Sequence, residues 1–168
     1  PLWRTTACPL KFVLQELRDV QSLAAIFPVP ARVIGYMDAA IRTAEEASVQ
    51  DVEKLIHPTG FFHTKARNII AASQMVMKEF DGRVPDEMDD LVRLPGVGRK
   101  TANIVLDHAF SKTVGIAVDT HVRRVSMRLG LTDERDPDRI EMDLVRFFPK
   151  EFWAEINGLF ILHGRRVC

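Results

Sequence analysis

The feature that most constrains this chain is an apolar repeat of helical period running through nearly all of it. Between Phe62 and Phe80 the positions Ala66, Ile69, Ile70, Val76, Met77 and Phe80 recur at i, i+3, i+4 spacing, with Ser73 in the same stripe. That spacing predicts an amphipathic helix buried along one side. Between Lys100 and Phe110 the set Ala102, Val105, Leu106 and Ala109 repeats it. Asp136-Pro137 reads as a helix start, an N-cap carboxylate followed by a proline whose missing N–H costs nothing in a first turn, leading into Ile140, Leu144, Val145 and Phe148. Ser48 is placed to cap a helix over Val49 to Ile56. Pro149 opens a last helix with Phe152, Ile156, Leu159, Phe160 and His163 on one face. Residues 10–27 and 31–47 also read as helices, parted by Pro28-Val29-Pro30. Only Val114 to Val118 has strand-like composition. It has no second run to pair with and reads as a short buried extended link. The expected fold class is all-α.

At 168 residues the chain can build one or two small domains with real cores. A hydrophobic content of 46% with 27% charged residues excludes wholesale disorder. No apolar run approaches the roughly 18 to 20 residues that span a bilayer, so no membrane partner is expected. The chain begins at Pro1 without a basic n-region or apolar h-region, and stops at Cys168 after an apolar helical stretch and two arginines. It reads as a fragment or a processed chain of intracellular origin. Two cysteines, Cys8 and Cys168, make neither a disulfide framework nor a four-ligand metal site by themselves.

The stretch that carries chemistry is Leu91 to Leu131. A helix ending near Leu94 is followed by Pro95-Gly96-Val97-Gly98 and a new helix opening at Arg99 or Lys100. Two glycines two apart permit a tight turn and close approach by another backbone, and Val97 between them can tuck inward. The new helix offers unpaired N–H groups and the positive end of its dipole, which suit an anion such as a phosphate. An ordinary helix–turn–helix connection that binds nothing has the same pattern. Lys100 stands in the first turn of that helix, where a second positive charge is unfavourable. Position alone supports two states, a solvated surface lysine and a partly buried, neutral, nucleophilic amine. Asp119 joins the VGIAV run to the helix beginning Thr120-His121-Val122. It is either a structural N-cap or a fixed carboxylate able to stabilise developing positive charge. Both residues sit at the starts of consecutive helices, so both could open onto one cleft.

LPGVGRKTANIVL followed by GIAVDTHVRR resembles the helix-hairpin-helix DNA glycosylases, specifically the endonuclease III branch. PTGFFHTKARNI at Pro58 to Ile69, Val84-Pro85 and the final INGLFILHGRRVC are similar to the same family. The resemblance covers about Asp51 to Cys168. It implies a base-excision-repair glycosylase and AP lyase that removes oxidised pyrimidines from double-stranded DNA. Lys100 matches the family's catalytic lysine and Asp119 its catalytic aspartate. By the same resemblance Phe61 takes the wedge position that fills the stack vacated by a flipped nucleotide, with Thr59 beside it. Pro95, Gly96, Val97, Gly98, Arg99, Thr101 and His121 are then expected DNA contacts. A core aromatic beside Phe62 is the plain alternative for Phe61. The architecture implied is a six-helix barrel lobe over 20–126, containing the helix-hairpin-helix at 86–110. A second helical lobe comprises 1–19 and 127–168, with DNA held between the two. A monomer in the cytoplasm, associated with the nucleoid, is expected.

Charge placement agrees. The 23 basic and 23 acidic residues cancel, yet Arg99 to Arg128 holds six bases (Arg99, Lys100, Lys112, Arg123, Arg124, Arg128) against two acids. Asp81 to Val97 holds five acids against two bases, and Asp133 to Glu155 eight against four. A neutral chain can therefore still present a basic face to DNA.

Two departures from the family pattern stand out. The family's LLSAQxTD helix start, whose glutamine helps fill the gap in the DNA, has no match in PLKFVLQELRDVQSLAAIFPVPARVIGYM, although Gln15 and Gln21 are present. The family also holds a [4Fe–4S] cluster on four cysteines near its C-terminus. Cys168 matches the first of them, and the other three are not in this sequence. The rival readings are a monofunctional mismatch glycosylase acting on adenine or thymine, and a non-catalytic or decayed hairpin module that only binds DNA. The lysine at position 100 favours the lyase.

Overall fold

The structure, a computed structural model, describes Asp38 and residues 40–167. The helix expected over 10–27 and most of the first half of that over 31–47 lie outside the described residues; 40–46 are helical. Thereafter come α1 (Val49–Ile56), a 3-10 turn (His57–Thr59), α2 (Phe62–Glu79), α3 (Met88–Leu91), α4 (Arg99–Phe110), α5 (Thr120–Leu129), α6 (Pro137–Phe147), a 3-10 turn (Lys150–Phe152) and α7 (Trp153–Arg166). Among the described residues there is no strand, so the fold is all-α. No described helix is long and apolar enough to cross a membrane.

The described residues form two compact units, one running to Lys112 and one from Thr113 onward. Residues 113–126, which the resemblance places in the hairpin lobe, share a core with α6 and α7: Ile116, Val118, Val122 and Val125 pack with Ile140, Leu144, Ile156 and Phe160.

In the hairpin unit, Ser48 caps α1 by accepting from the Asp51 N–H at 3.2 Å. The inner side of α2 is Ala66, Ser73 and Val76. Ile69, expected in that stripe, is exposed. The buried line runs i, i+7, i+10 through Ser73, whose hydroxyl donates to the Ile69 carbonyl at 2.9 Å and so tolerates burial. Leu91 and Leu94 bring α3 and the following turn onto Val76, Ala102 and Leu106. Arg93 ties the surface of this packing together: it pairs with Asp90 and Glu79, and its guanidinium carbon lies 5.8 Å from the centre of the Phe80 ring. At the far end of α4, Lys112 donates to Asp86 at 2.7 Å and to Glu87 at 2.8 Å.

In the second unit the link behaves as its composition suggests. Ile116, Ala117 and Val118 are buried in backbone that is neither helix nor strand, while Val114 is exposed. Asp136 caps α6 through the N–H groups of Asp138 and Arg139. The last helix starts later than Pro149 predicts. The first turn is 3-10, and α geometry begins only at Trp153, whose ring N–H donates back to the Phe148 carbonyl at 2.9 Å. That bond closes the turn around the ring, and Ile156, Leu159 and Phe160 then face the core.

Candidate functional site

The hairpin is built on one tight turn. The Val97 N–H donates to the Leu94 carbonyl at 3.0 Å, with Pro95 and Gly96 at the centre and Gly96 at φ +79°. Proline then a left-handed glycine is the chemistry of a type II turn. Gly96 is required twice over. A side chain there would be strained, and its Cβ would lie 2.7 Å from the Asn68 amide nitrogen and 2.9 Å from the Asn68 Cβ. Asn68 of α2 therefore fixes how deep the turn sits, a role no sequence pattern announced. Val97 is half-buried against the unit's core, and Pro95 is half-buried beside it.

Gly98 starts α4 in extended backbone (φ −95°, ψ 175°) and supplies no side chain to cap it. Nothing lies within 4 Å of where its Cβ would be. The first turn, with Arg99, Lys100 and Thr101 exposed, thus presents the positive end of the helix without a protein cap. Lys100 is its second residue. It is exposed and makes no hydrogen bond or ion pair among the described residues, so the partly buried amine is not the state seen here.

Phe61 stands at the α2 start. It is 90% exposed and held in the left-handed region (φ 50°, ψ 27°), directly after Gly60 at φ +65°. An aromatic residue in that conformation carries a cost on the order of 1 kcal/mol. The core-aromatic alternative does not hold; the half-buried ring is Phe62, 4.6 Å from His57 and 4.0 Å from His63 between ring centres. Thr59 closes the 3-10 turn just ahead.

Asp119 begins α5 and is half-buried. Its Oδ1 accepts from the backbone N–H of His121 at 2.8 Å and of Val122 at 2.7 Å. Oδ2 has no partner among the described residues. His121 is half-buried. Arg124 approaches its Nδ1 at 3.3 Å and donates to the Gly164 carbonyl at 2.7 Å. A guanidinium only donates, so Nδ1 is the accepting side of this contact. Gly164 permits this approach: a Cβ there would lie 3.0 Å from Arg124 and 3.3 Å from His121.

The structure thus gathers Pro95 to Thr101 into one turn and helix start, and Asp119 with His121 into another. Lys100 belongs to the first unit and Asp119 to the second.

Comparison with known proteins gives the family to which this geometry belongs. A family model described as HhH-GPD superfamily base excision DNA repair protein matches residues 20–150. The chain belongs to that superfamily. It is similar to endonuclease III of Synechocystis sp., 54% identical over 119 residues, covering 71% of this chain and 54% of the relative. Endonuclease III of Thermotoga maritima is 44% identical over 130 residues, covering 76% of this chain and 61% of the relative. Among solved structures, a trapped endonuclease III–DNA covalent intermediate in an estranged-adenine complex superposes with a TM-score of 0.70 at 39% identity, over 74% of this chain and 59% of that one. The chain therefore spans only a little more than half the length of these endonuclease III relatives.

A [4Fe–4S] cluster, which the resemblance implies, does not fit the residues present. Such clusters take about four thiolates, and the sequence holds two cysteines, Cys8 and Cys168, both outside the described residues. Among the described residues no group of three or more His, Cys, Asp or Glu is arranged to hold a metal.

Proposed function

We propose that this chain carries the catalytic residues of a base-excision-repair DNA glycosylase with AP lyase activity, acting on oxidised pyrimidines in double-stranded DNA. The observation that carries the reading is Lys100: an exposed lysine without an ion pair among the described residues, on an uncapped helix start directly after a glycine turn. The turn brings main-chain N–H groups to a DNA phosphate, and the open space at Gly98 leaves room for it. Phe61 enters the base stack where the damaged nucleotide has left it.

In the reaction Lys100, after giving up a proton to solvent, attacks C1′ of the flipped nucleotide through its amine nitrogen. The C1′–N bond breaks, and the base departs with the bonding pair and takes up a proton. One amine proton passes to O4′ as the C1′–O4′ bond breaks and the sugar ring opens, which leaves a protonated Schiff base between Nζ and C1′. Removal of a proton from C2′ then expels the 3′ phosphate by β-elimination, and water releases the enzyme. Asp119 stabilises positive character on the sugar as the base leaves, using the oxygen that its helix cap does not occupy.

Borohydride trapping tests this reading. Duplex DNA containing thymine glycol or an abasic site should give a covalent adduct, and Lys100→Ala should abolish it. A folded chain that binds the DNA and yields no adduct would sink the lyase and leave a monofunctional glycosylase or a simple DNA-binding module.

A further inference from the structure

A buried segment that is neither helix nor strand must find partners for its backbone elsewhere. Ile116, Ala117 and Val118 are all buried, and the link from Val114 to Val118 pairs with no strand. One hydrogen bond among the described residues reaches its backbone: Asn157 Nδ2, from the middle of α7, donates to the Ala117 carbonyl at 2.8 Å. Two residues further on is Asp119. One of its carboxylate oxygens is fully engaged by the N–H groups of His121 and Val122.

The direction of the other oxygen therefore depends on how the backbone enters α5. Downstream, that entry is fixed by the helix itself and by Arg124 gripping the Gly164 carbonyl. Upstream it is fixed by apolar packing, which resists displacement into solvent but sets no direction along the chain, and by the Asn157 bond, which does. We infer that Asn157 is a positioning residue for Asp119: its amide sets the register of the link and so aims the free carboxylate oxygen. The inference rests on the reading that Asp119 acts on the reacting sugar. Because Arg124 and the α5–α7 core remain when the Asn157 bond is removed, its loss releases the link without unpacking the unit.

The test uses the full chain with Asn157→Asp, which keeps the size but removes the donor, and Asn157→Ala, which empties the position should the carboxylate prevent folding. Both are measured in single turnover on duplex DNA containing thymine glycol. The amplitude of borohydride-trapped adduct counts competent enzyme, its rate reports the chemistry, and equilibrium binding is measured beside them. Displacement of a catalytic group by about 1 Å can cost up to roughly a hundredfold, so a fall in rate of about tenfold or more is expected. Amplitude and DNA affinity should stay at wild-type levels, and cleavage of a preformed abasic site, from which no base departs, should fall less. Wild-type rates in a folded variant would overturn the inference, as would a loss of amplitude or affinity at an unchanged rate. A wild-type chain that forms no adduct would remove the reading of Asp119 itself, an outcome distinct from either variant result.

Discussion

Helices α4 and α5 each follow a short non-helical segment and each begin on a residue type singled out for chemistry, but their first turns are finished differently. At α5 the Asp119 side chain accepts two backbone N–H bonds, and the helix end is satisfied from within the protein. At α4 the N-cap is Gly98, with no side chain, and the second residue is a lysine that adds charge to an already positive end. Local stability favours the first arrangement and disfavours the second. A helix start that gives up its cap and carries an adverse charge is poised for a negative ligand from outside, whereas the capped one holds a carboxylate still. On the proposed function, the same structural position would serve anion binding in one helix and charge placement in the other.

The sharpest way to break this contrast is at Lys100. Lys100→Ala should reduce trappable adduct by on the order of a thousandfold or more, while the thermal midpoint stays level or rises, since an unfavourable cation leaves the helix end. A variant that loses activity and stability together would show the lysine to be structural. Gly96→Ala should be the most destabilising change near the turn, at about 2 kcal/mol, from left-handed strain plus the overlap with Asn68. Denaturant unfolding measures it, and a loss of less than half that would show that the turn relaxes.

Gly98→Asp makes the two helix starts alike. The new side chain has open space and the right backbone to cap α4, so stability should rise by a few tenths of a kcal/mol. A carboxylate set where a phosphate would approach should weaken DNA binding about tenfold at moderate salt. Unchanged affinity would remove the phosphate from this turn. The converse separates the two duties of Asp119. Asp119→Asn should keep the cap, with stability within a few tenths of a kcal/mol, and lose excision rate; Asp119→Ala should also lose about 1 kcal/mol of stability. Equal excision rates in wild type and Asp119→Asn would leave a cap and nothing more.

The smallest effect is expected at the other end of α4, where Lys112 holds the Asp86 carboxyl below its usual 3.8 and is itself raised above 10.5, chiefly by their hydrogen bond. For Asp86 the contribution is complete above 3.8 and is lost as pH falls through its lowered value. For Lys112 it is complete below 10.5 and is lost as pH rises through its raised value. Lys112→Ala should therefore lower the thermal midpoint slightly at neutral pH and converge on wild type in strong acid. A constant offset at every pH would assign the effect to packing of the lysine stem.

What the sequence discloses about this molecule follows from where the deciding interactions lie. Ser48, Asp119 and Asp136 announce their helices because an N-cap bonds to backbone two or three residues away. The delay of α7 past Pro149 hangs on a tryptophan bonding five residues back, and the exposure of Ile69 on how Ser73 meets the core. Neither is written in a local period. Lys100 and the glycine turn are legible as a motif because they are contiguous. Asn68 and Asn157 are not: each acts on a residue 28 or 40 positions away, and a single asparagine in a helix leaves no pattern. Phe61 lies between these cases. The residues allow core or surface, and the left-handed backbone after Gly60 decides for the surface.

The separation between Ala117 and Asn157 has a consequence for how the protein comes into being. The core around Ile116 and Val125 is closed by Ile156 and Phe160, some thirty to forty-five residues later, whereas Val76, Leu91, Ala102 and Leu106 all precede the link in the chain. A chain emerging from the ribosome can close the hairpin's core while the segment bearing Asp119 still waits for α7 to be synthesised. Nascent chains arrested shortly after Asp119 should then protect the glycine turn from protease and leave the link open to cutting. The lysine would be in its final setting before the carboxylate, and the completion of α7 would decide when the second begins to work.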